Sequence, residues 1–579
     1  MTTPMPSTTT SRRRSGAPAR LPTADEAVAH TLLNCLLREA VAPGDRVLAD
    51  GRLLMRLTHR DIRLGVALRR TSLIGAHRFT GPVSALESPS RGAWTEIGWQ
   101  RLAELVHAEL CSRTGTPNEE FLGQVAASHR AVAGTLARRS RAHAPAAPGG
   151  DPLGTYLASE QSLLLGHRFH PTPKAHGADP AAWAAYAPEE GARFPLRLLA
   201  VRADLAAEDT AAPGGLGPLD RLGRAPAGYR LLPAHPWQAG LLGSHPVLAA
   251  ALERGDVLDL GATAHPVAPT ASVRTVYDGG AFLKFSLDVR ITNCVRKNAH
   301  YELAGAVALT RLLAPAFADL ERSHPGCAVL REPAYRSLAL PGRDGRPDRR
   351  LLEGFGVIVR DGLGAVTPPG AVPLLAADVA GEYPTGPGHV SHLLAGADRR
   401  RTADWWARYT ELLIPPVLTA YVRHGIVLEP HLQNVVVCIG RDGMPQKVLF
   451  RDLEGVKLLP GHHREALAAL PRDVAGPLTY DAARGWDRVV YCLLVNHAAE
   501  VLAALADLDP GLEPALWGQV RRVLARSSRA LGDPPRTAAL LAGAPLPAKA
   551  NLLTRWRREA DRDAAYVRLP SPLTPGGAL

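Results

Sequence analysis

One stretch, Gly425–Leu458, limits most strongly what this chain can fold into, and it reads GIVLEPHLQNVVVCIGRDGMPQKVLFRDLEGVKL. The run Asn434–Ile439 is apolar and rich in β-branched residues, which predicts a strand. Arg441–Gly443 supplies a turn, and Lys447–Phe450 is predicted to return antiparallel to the first strand. The stretch therefore predicts a β-hairpin in the C-terminal part of the chain.

Polar residues occupy matching ends of the two predicted strands. They are Glu429, His431, Gln433 and Asn434 before the first strand, and Arg451, Asp452 and Glu454 after the second. Antiparallel pairing would bring both groups to one edge of the sheet. Carboxylates with a carboxamide suit a magnesium nucleotide, because Mg²⁺ takes one or two carboxylates together with phosphate oxygens. A polar hairpin end with solvated charges is the simpler alternative.

The charge of the chain has an unusual origin. Basic residues outnumber acidic ones by 67 to 55, giving a formal net charge of +12, and lysine occurs only at positions 174, 284, 297, 447, 457 and 549. Where arginine is the rule, a lysine suggests a need for a compact ammonium group. The arginines are interspersed with acidic residues and form no basic–aromatic stripe, so we expect small acidic substrates and no nucleic acid.

The cysteines and apolar runs bear on the cellular compartment. The six cysteines are scattered without a CxxC pair, which favours reduced thiols in the cytoplasm. Arg12–Arg14 is followed by no apolar segment, so we expect no signal peptide. The apolar runs near Leu303–Phe317 and Cys492–Leu508 are interrupted by polar residues, and we expect no membrane span.

Composition also indicates where the first domain ends. Residues 1–22 are rich in Thr, Ser, Pro and Arg and are predicted to form a disordered tail. Thr23–Glu26 has a capping-box pattern and predicts a helix to about Ala40. Ala142–Gly150 is predicted to be a linker, so the first domain covers residues 23–150.

Periodicity predicts further elements. The strands are Val47–Thr58, Ile62–Ala67 and one within Tyr229–Gln238 that ends in a polar-aromatic turn. The helices are Trp99–Ser112, Asn118–Arg138, Pro152–Gly166, Ala299–Leu313, Ala403–His424, Asp481–Leu508 and Leu512–Ala530. Ala206–Ala227 is predicted to be a mobile surface loop, and Lys549–Trp556 to close the ordered chain.

A second informative stretch is Ala271–Asn298. Ser272-Val273-Arg274-Thr275 precedes a turn, and one long strand is then predicted to alternate. Its polar face carries Lys284, Ser286, Asp288, Arg290 and Thr292. Hydroxyl, guanidinium and ammonium groups that converge on a sheet suit a clamp for a triphosphate or a carboxylate. A half-exposed strand is the alternative.

The loop Gly166–Lys174, GHRFHPTPK, carries two histidines and a lysine. Such a set on a proline-rich loop could bind an anion, and an ordinary proline-rich turn explains it equally well.

Two families resemble the hairpin stretch. Glu429, Asn434 and Asp452 have the layout of a kinase catalytic loop followed by its metal-binding aspartate, but the chain lacks a Gly-rich loop near its start. EPHLQN and RDLEG more closely resemble the siderophore synthetases that work without a peptide-synthetase template, the aerobactin-synthetase-like family. Further similar motifs follow in order from about Gly166 to Trp556: GHRFHPTPK, AHPWQ, SVRT, KFSLDVRITNCVRKN and KANLLTRW. His176 departs from the family, which has arginine there.

This resemblance implies an α+β fold with a cupped-hand architecture. A thumb would cover residues 23–150, a β-rich fingers domain residues 151–385, and a helical palm with a kinase-like hairpin residues 386–579. It also implies a homodimer. ATP and a carboxylic acid, commonly citrate or a citrate derivative, would give an acyl-adenylate, which an amine, hydroxylamine or alcohol attacks. A small-molecule phosphotransferase and a non-catalytic binding homologue remain alternatives.

The resemblance also implies roles for individual residues. The residues that would hold the nucleotide are Ser272, Arg274, Thr275, Lys284, Arg296, His431, Asn434 and Asp452. Arg296 and His431 would in addition be catalytic, flanking the α-phosphate and the attacking carboxylate. The magnesium candidates are Glu429 and Asp452. The candidates for the carboxylate pocket are His170, Lys174, Thr292, Gln433 and Lys549.

Overall fold

The computed structural model describes residues 22–87, 92–141, 151–177, 179–291, 294–381, 389–560 and 564–574. The predicted linker and the predicted tail, except its last residue, lie outside the described residues. Helices and mainly antiparallel sheets alternate irregularly along the chain, which confirms the α+β class, and the strand Cys327–Val329 pairs with Pro445–Phe450 in parallel.

The thumb region, residues 23–150, is a five-stranded antiparallel sheet packed against helices. Its elements are α1 (Ala24–Glu39), β1 (Arg46–Ala49), β2 (Arg52–Leu57), β3 (Ile62–Arg70), β4 (Arg78–Leu86), β5 (Thr95–Ile97), α2 (Trp99–Thr114) and α3 (Glu120–Arg141). The predicted capping box is present, because the Thr23 hydroxyl accepts from the Glu26 N–H and the Glu26 carboxylate accepts from Thr23. The single strand predicted over Val47–Thr58 is wrong. Asp50 and Gly51, both at positive φ, turn the chain between β1 and β2.

The described part of the fingers region, residues 151–385, holds three separate antiparallel sheets, ordered β10-β11-β12-β17-β16-β7, β8-β6-β9 and β13-β14. Its helices, with one that follows it, are α4 (Pro152–Glu160), α5 (Pro180–Ala184), α6 (Gly217–Asp220), α7 (Pro236–Leu242), α8 (Pro246–Glu253), α9 (His300–Ser323), α10 (Arg349–Gly354), α11 (Ala376–Val379) and α12 (His389–Leu393). Its strands are β6 (Arg197–Arg202), β7 (Ala206–Thr210), β8 (Tyr229–Ala234), β9 (Val257–Ala262), β10 (Ala268–Pro269), β11 (Thr275–Tyr277), β12 (Phe282–Phe285), β13 (Leu287–Ile291), β14 (Cys294–Arg296), β15 (Cys327–Val329), β16 (Ala334–Leu338), β17 (Val357–Arg360) and β18 (Val372–Leu375).

The predicted alternating strand is interrupted at Ser286. The Ser286 hydroxyl donates to the Glu353 carbonyl and accepts from the Asn298 N–H, so β12 joins the six-stranded sheet while β13 pairs with β14. Lys284 and Ser286 are also almost fully buried. The polar face therefore faces the interior of a site instead of open solvent.

Three other predictions in the fingers region need correction. The helix predicted to reach Gly166 ends at Glu160. The predicted strand from Tyr229 ends at Ala234, because Pro236 begins α7. Part of the predicted mobile loop is β7, which pairs with β16 at the edge of the larger sheet.

The palm region, residues 386–579, contains the predicted hairpin. Its main elements are α13 (Arg399–His424), β19 (Ile426–Val427), β20 (Val435–Ile439), β21 (Pro445–Phe450), β22 (Lys457–Leu458), α14 (Pro460–Ala469), α15 (Arg472–Leu478), α16 (Ala482–Val490), α17 (Ala499–Leu508), α18 (Glu513–Ala530), α19 (Pro535–Leu541), β23 (Leu546–Lys549), α20 (Asn551–Trp556) and β24 (Tyr566–Leu569). The hairpin is confirmed, with Val435 opposite Phe450. It lies in a four-stranded sheet with β15 and β18, so this sheet takes strands from both sides of the predicted boundary at residue 385.

Two helical segments, α9 and Ala482–Leu508, are long and apolar enough to cross a membrane by length and composition alone. The second is continuous through a π-helical turn, Tyr491–Ala498, and 89% of its apolar window is buried inside the protein. Leu309 of α9 and Leu502 of α17 belong to the same core cluster. Burial within the protein accounts for the apolar character of the second segment, whereas half of the apolar window of α9 is buried.

The C-terminal part of the chain returns to the thumb region. Leu552 and Trp556 of α20 lie in the thumb core, and the Glu39 carboxylate accepts from the N–H groups of Leu552 and Leu553. The ordered chain does not close at Trp556 as predicted, because β24 pairs with β23. The thumb is therefore fixed to the palm through α1.

A buried ion pair joins the fingers region to the hairpin. Arg451, directly after β21, donates to the Glu160 carboxylate at 2.5 Å and to the Tyr156 hydroxyl at 3.0 Å. Glu160 is fully buried and also accepts from the Ala271 N–H. This pair thus links α4, the Ala271–Thr275 loop and the end of the hairpin.

We expect Glu160→Ala to destabilise the fold strongly, because it leaves a buried guanidinium without its anion, which costs about 3–5 kcal/mol. Calorimetry should show a clearly lower unfolding temperature. Asp259→Ala is the matched control, because the Arg197–Asp259 pair is exposed and such pairs contribute at most about 1 kcal/mol. Equal midpoints for the two variants would contradict a structural role for the buried pair.

Candidate active site

The end of the hairpin brings the two predicted polar groups together. The Arg451 N–H donates to the Asn434 carbonyl at 3.0 Å, so Asn434 and the Arg451–Glu454 segment are neighbours. Asp452 adopts a left-handed backbone conformation with φ 78°, which is uncommon for a residue other than glycine. Such strain occurs most often at functional sites.

Five charged side chains form what we call the clamp cluster: Arg274, Lys284, Arg360, Asp452 and Glu454. The Lys284 ammonium lies 2.5 Å from both Asp452 Oδ1 and Glu454 Oε2. Arg360 donates to Asp452 and Arg274 to Glu454, each at 2.8 Å. The cluster joins the larger fingers sheet to the hairpin.

The loop before β11 positions Arg274. The Ser272 hydroxyl accepts from the Thr275 N–H at 3.2 Å, and Val273 between them has φ 67°. A β-branched residue at positive φ is a genuine conformational outlier. The Asn298 side chain accepts from Arg274 at 2.6 Å and donates to the Lys284 carbonyl, so it holds both cations in register.

The electrostatics of the cluster favour full ionisation. Burial alone would raise the pKa of both carboxyl groups, but Lys284 with Arg360 holds the pKa of Asp452 well below its usual range. Arg274 and Lys284 lower the pKa of Glu454 to about 2 against the same effect of burial. Glu302 differs, because burial and the neighbouring Glu454 raise its pKa to about 7. The cluster therefore holds three cations, Arg274, Lys284 and Arg360, and in this structure their anionic partners are protein carboxylates.

A second group surrounds His431. Glu429 pairs with Arg488 at 3.2 Å and packs against the Asp452–Gly455 turn, where a Cβ on Gly455 would lie 2.9 Å from Glu429 Oε2. Burial lowers the pKa of His431, and the charges of Arg488 and Lys549 lower it further while Glu429 and Asp452 oppose them. His431 is thus held as a neutral ring at neutral pH.

The loop that carries His431 is fixed by the π-helical turn. Asn496 accepts from the Leu432 N–H at 3.2 Å, and the His497 ring lies 2.8 Å from the Pro430 carbonyl oxygen. π-Helical turns occur frequently at functional sites. The turn therefore supports both sides of His431.

One histidine of the Gly166–Lys174 loop lies beside the loop that carries His431. It is His167, and not the predicted His170. Its ring is solvent-exposed, and its Nε2 lies 2.8 Å from the side-chain amide of Asn496. Although the ring is open to solvent, partial desolvation by the surrounding protein, together with the charges of Arg38, Lys549 and His431, lowers its pKa to about 4. Through Asn496, which also accepts from the Leu432 N–H, His167 is joined to the loop that carries His431.

The predicted pocket residues have different outcomes. His170 is buried and accepts from the Thr172 N–H within its own loop, while Lys174 donates to the Leu163 carbonyl and pairs with Glu189. These contacts hold the Gly166–Lys174 loop and the fingers region together. They do not bring His170 or Lys174 to the clamp cluster or to His431. The Gln433 carbonyl accepts from Arg451, whereas Thr292 and the side chain of Arg296 lie outside the described residues.

Several residues of the site were not among the predicted site residues. They are Glu454, Arg360, Asn298 and His167. Glu454 and Asn298 lie within the motifs RDLEG and KFSLDVRITNCVRKN, which could have indicated them. Arg360 comes from a distant strand whose pairing with β12 no local pattern reveals.

A metal ion bound at this site would need phosphate oxygens of the nucleotide to complete its coordination. Among the described residues, no group of three or more His, Cys, Asp or Glu side chains is arranged to hold one. Asp452 and Glu429 fit the magnesium pattern of one or two carboxylates with phosphate oxygens completing the shell.

Comparison with known proteins identifies the class of this fold. The structure resembles ATP-bound aerobactin synthetase IucA from a hypervirulent pathotype of Klebsiella pneumoniae, with a TM-score of 0.81, 23% identity, and coverage of 95% of this chain and 99% of that one. The fold is thus that of the aerobactin synthetases.

Sequence comparison gives the family. The IucA / IucC family model matches residues 155–377, and a model described as ferric iron reductase FhuF-like transporter matches residues 403–564. The rhizobactin siderophore biosynthesis protein RhbC of Rhizobium meliloti (strain 1021) is 30% identical over 94% of this chain and 96% of its own length. The L-2,3-diaminopropanoate–citrate ligase of Staphylococcus aureus (strain NCTC 8325 / PS 47) is 30% identical over 72% of this chain and 74% of its own length. The chain belongs to the IucA/IucC family.

Proposed function

We propose that this protein is an ATP-dependent siderophore synthetase that activates citrate or a citrate derivative and condenses it with an amine, hydroxylamine or alcohol. The clamp cluster carries the proposal, because three cations converge beside a histidine at the end of the hairpin. Bringing a triphosphate and a carboxylate together requires converging positive charge. The names of the two sequence relatives, a siderophore biosynthesis protein and a citrate ligase, support it.

Nucleotide binding would proceed by exchange of partners within the clamp cluster. The phosphate oxygens would replace Asp452 and Glu454 as acceptors for Lys284, Arg274 and Arg360. The released Asp452, with Glu429, would hold Mg²⁺, which would neutralise phosphate charge. Ser272 and Thr275 supply hydroxyl groups at the same loop, and Asn434 adds a carboxamide.

The proposed chemistry has two balanced steps. An oxygen of the donor carboxylate attacks the α-phosphorus, and the bond to the leaving pyrophosphate breaks. The nucleophile then attacks the acyl carbon, AMP departs with the transferred oxygen, and one proton is released. By the family resemblance we assign to His431 and Arg296 the task of donating hydrogen bonds to the charge that would develop at the α-phosphate.

We further propose a cytoplasmic homodimer. The five cysteines in the described part of the chain are free thiols, which fits a reducing compartment. The dimer rests on the family resemblance.

Isotope transfer tests the reaction class. With citrate labelled with ¹⁸O in its carboxylates, Mg-ATP and a panel of amines, we expect pyrophosphate release and ¹⁸O in the AMP. A phosphotransferase would instead form ADP and a phosphorylated product. Formation of ADP in step with product would overturn the adenylation proposal.

Lys284→Met should weaken Mg-ATP binding at least about tenfold, because a hydrogen bond to a charged group contributes on the order of 1.5–3 kcal/mol. Calorimetric titration measures the affinity directly. Lys447→Met, on β21 and outside the clamp cluster, is the matched control and should bind within twofold of the parent. Equal affinity in the Lys284 variant would place the phosphates elsewhere.

His431→Ala should slow acyl-adenylate formation roughly 100- to 1,000-fold and leave ATP binding almost unchanged, because removal of one preorganised donor acts mainly on the transition state. Single-turnover adenylation and nucleotide titration on the same variant separate these effects. His265→Ala, an exposed histidine of the fingers region, is the control. Parental adenylation with only slower aminolysis would show that His431 serves the acceptor instead.

A further inference from the structure

The buried carboxylate of Glu332 lies next to the clamp cluster and has no part in the proposed adenylation. Glu332 is fully buried and comes shortly before β16 of the larger fingers sheet. The Asp361 N–H donates to the Arg331 carbonyl at 2.9 Å, which places Glu332 beside Arg360 at the end of β17. The Thr310 hydroxyl of α9 donates to the Glu332 carbonyl at 3.0 Å and accepts from its N–H at 3.1 Å. The backbone of Glu332 is therefore fixed on both sides of its side chain.

Glu332 binds Arg360 through one carboxylate oxygen. Glu332 Oε1 accepts from Arg360 Nε at 3.0 Å and from Arg360 Nη2 at 2.6 Å. The same Nη2 also donates to Asp452 Oδ1 at 2.8 Å. The guanidinium thus lies between a carboxylate of the fingers region and a carboxylate of the segment that follows the hairpin.

The second oxygen of Glu332 has no donor. Although Oε2 is buried, no N–H or O–H group among the described residues donates to it. A buried carboxylate oxygen without a donor lowers stability, so its presence calls for an explanation. A carboxylate can bind a guanidinium through both of its oxygens. Glu332 therefore keeps one acceptor in reserve beside Arg360.

Arg360 differs in its partners from the other cations of the clamp cluster. Within the described part of the chain, those other cations form ion pairs only with the two carboxylates of the cluster. The side chains of these carboxylates, Asp452 and Glu454, are 31% and 22% exposed, whereas Glu332 is fully buried. The exposed pair can turn away from the cations when a nucleotide binds, and Glu332 stays with Arg360.

We propose that Glu332 is a positioning residue that holds Arg360 on the fingers sheet and balances its charge, so that Asp452 can turn from Arg360 to the metal ion when Mg-ATP binds. The proposal rests on the proposed function, in which Asp452 is released to the metal. A second anion in contact with Arg360 weakens the attraction between Arg360 and Asp452. Glu332 Oε2 would accept the N–H that Asp452 gives up.

The effect of Mg²⁺ on nucleotide affinity tests this role. Calorimetric titration of the full chain with ATP, without a carboxylic acid, is done with Mg²⁺ and in metal-free buffer. The ratio of the two dissociation constants is the metal gain. Glu332→Gln keeps the shape of the side chain and removes its charge, so Asp452 becomes the main anion of Arg360 and remains with it. We expect the metal gain to fall at least about tenfold, the value of one hydrogen bond to a charged group.

Two further variants separate this effect from a loss of stability. In the double variant Glu332→Gln/Arg360→Met, the cation that would retain Asp452 is absent. Its metal gain should return to within about twofold of the parent, even if both forms of the nucleotide bind more weakly. Glu208→Gln is the matched control, because Arg336 also lies between two carboxylates, Glu208 and Asp220, at 2.6 and 2.7 Å. It should leave the metal gain unchanged.

The outcomes distinguish the two proposals. If the parent binds neither ATP nor Mg-ATP, the proposed function itself is wrong. If the parent binds ATP equally well with and without Mg²⁺, Asp452 is not handed to a metal and the role of Glu332 is overturned, whereas the isotope test still decides the reaction class. If Glu332→Gln weakens the binding of both forms equally, Glu332 is only structural. If the double variant keeps the low metal gain, Arg360 is not what retains Asp452. Either result overturns the proposal.

A conservative variant covers the case in which Glu332→Gln does not fold. Glu332→Asp keeps the charge and draws the carboxylate back from Arg360 by one methylene group. We expect its metal gain to fall at least about threefold, because the contact with the guanidinium is weakened and not abolished. An unchanged metal gain in folded Glu332→Asp, with folding checked by calorimetric unfolding, would overturn the proposal.

Discussion

The contact of the Lys284 ammonium with two carboxylates, Asp452 and Glu454, is the interaction on which the rest of the site depends. A buried ammonium is tolerated only with good partners, and here the partners come from a different sheet. The pair therefore fixes the larger fingers sheet against the hairpin of the palm region. It also fixes the charge state of the site, because each group holds the others ionised.

The structure that supports this contact is closely hydrogen-bonded and locally strained. Asn298 holds Arg274, the Glu160–Arg451 pair holds the base of the hairpin, and Val273 and Asp452 keep unfavourable backbone conformations. Strain of this kind persists only where the surrounding structure over-determines it. Val273 is next to Arg274, and Asp452 is itself a member of the clamp cluster. The unfavourable backbone conformation therefore serves to position a charged side chain of the cluster.

Local patterns predicted the parts of the fold that depend on local sequence. The capping box at Thr23 and the hairpin at Gly425–Leu458 follow from residues that are neighbours in the chain. The interruption at Ser286 was not predictable, because its hydroxyl binds backbone groups of Asn298 and Glu353 that are distant in sequence. The placement of α20 in the thumb core likewise depends on contacts over several hundred residues.

The site shows the same division. The motifs pointed to Arg274, Lys284, His431 and Asp452, which the structure brings to one cleft. Arg360 was missed because only sheet pairing places it beside Asp452. In the GHRFHPTPK loop, the choice between His167 and His170 depends on how the loop folds: the Thr172 N–H is bound to His170, whereas His167 is solvent-exposed and beside Asn496. Sequence identified the loop, and only the fold identified the side chain.

The two cleft histidines show how such a site can attract anions without depending on a proton. Desolvation by the surrounding protein and the charges of neighbouring cations lower the pKa of both His431 and His167, so both rings are neutral near pH 7. The positive charge comes instead from arginine and lysine, which stay protonated throughout the physiological range. A neutral ring can donate a hydrogen bond to a developing oxyanion and does not transfer its proton to the donor carboxylate beforehand. In this site the arginines and lysines carry the positive charge, and the histidines only donate hydrogen bonds. This division keeps the attacking carboxylate ionised, as nucleophilic attack on the α-phosphorus requires.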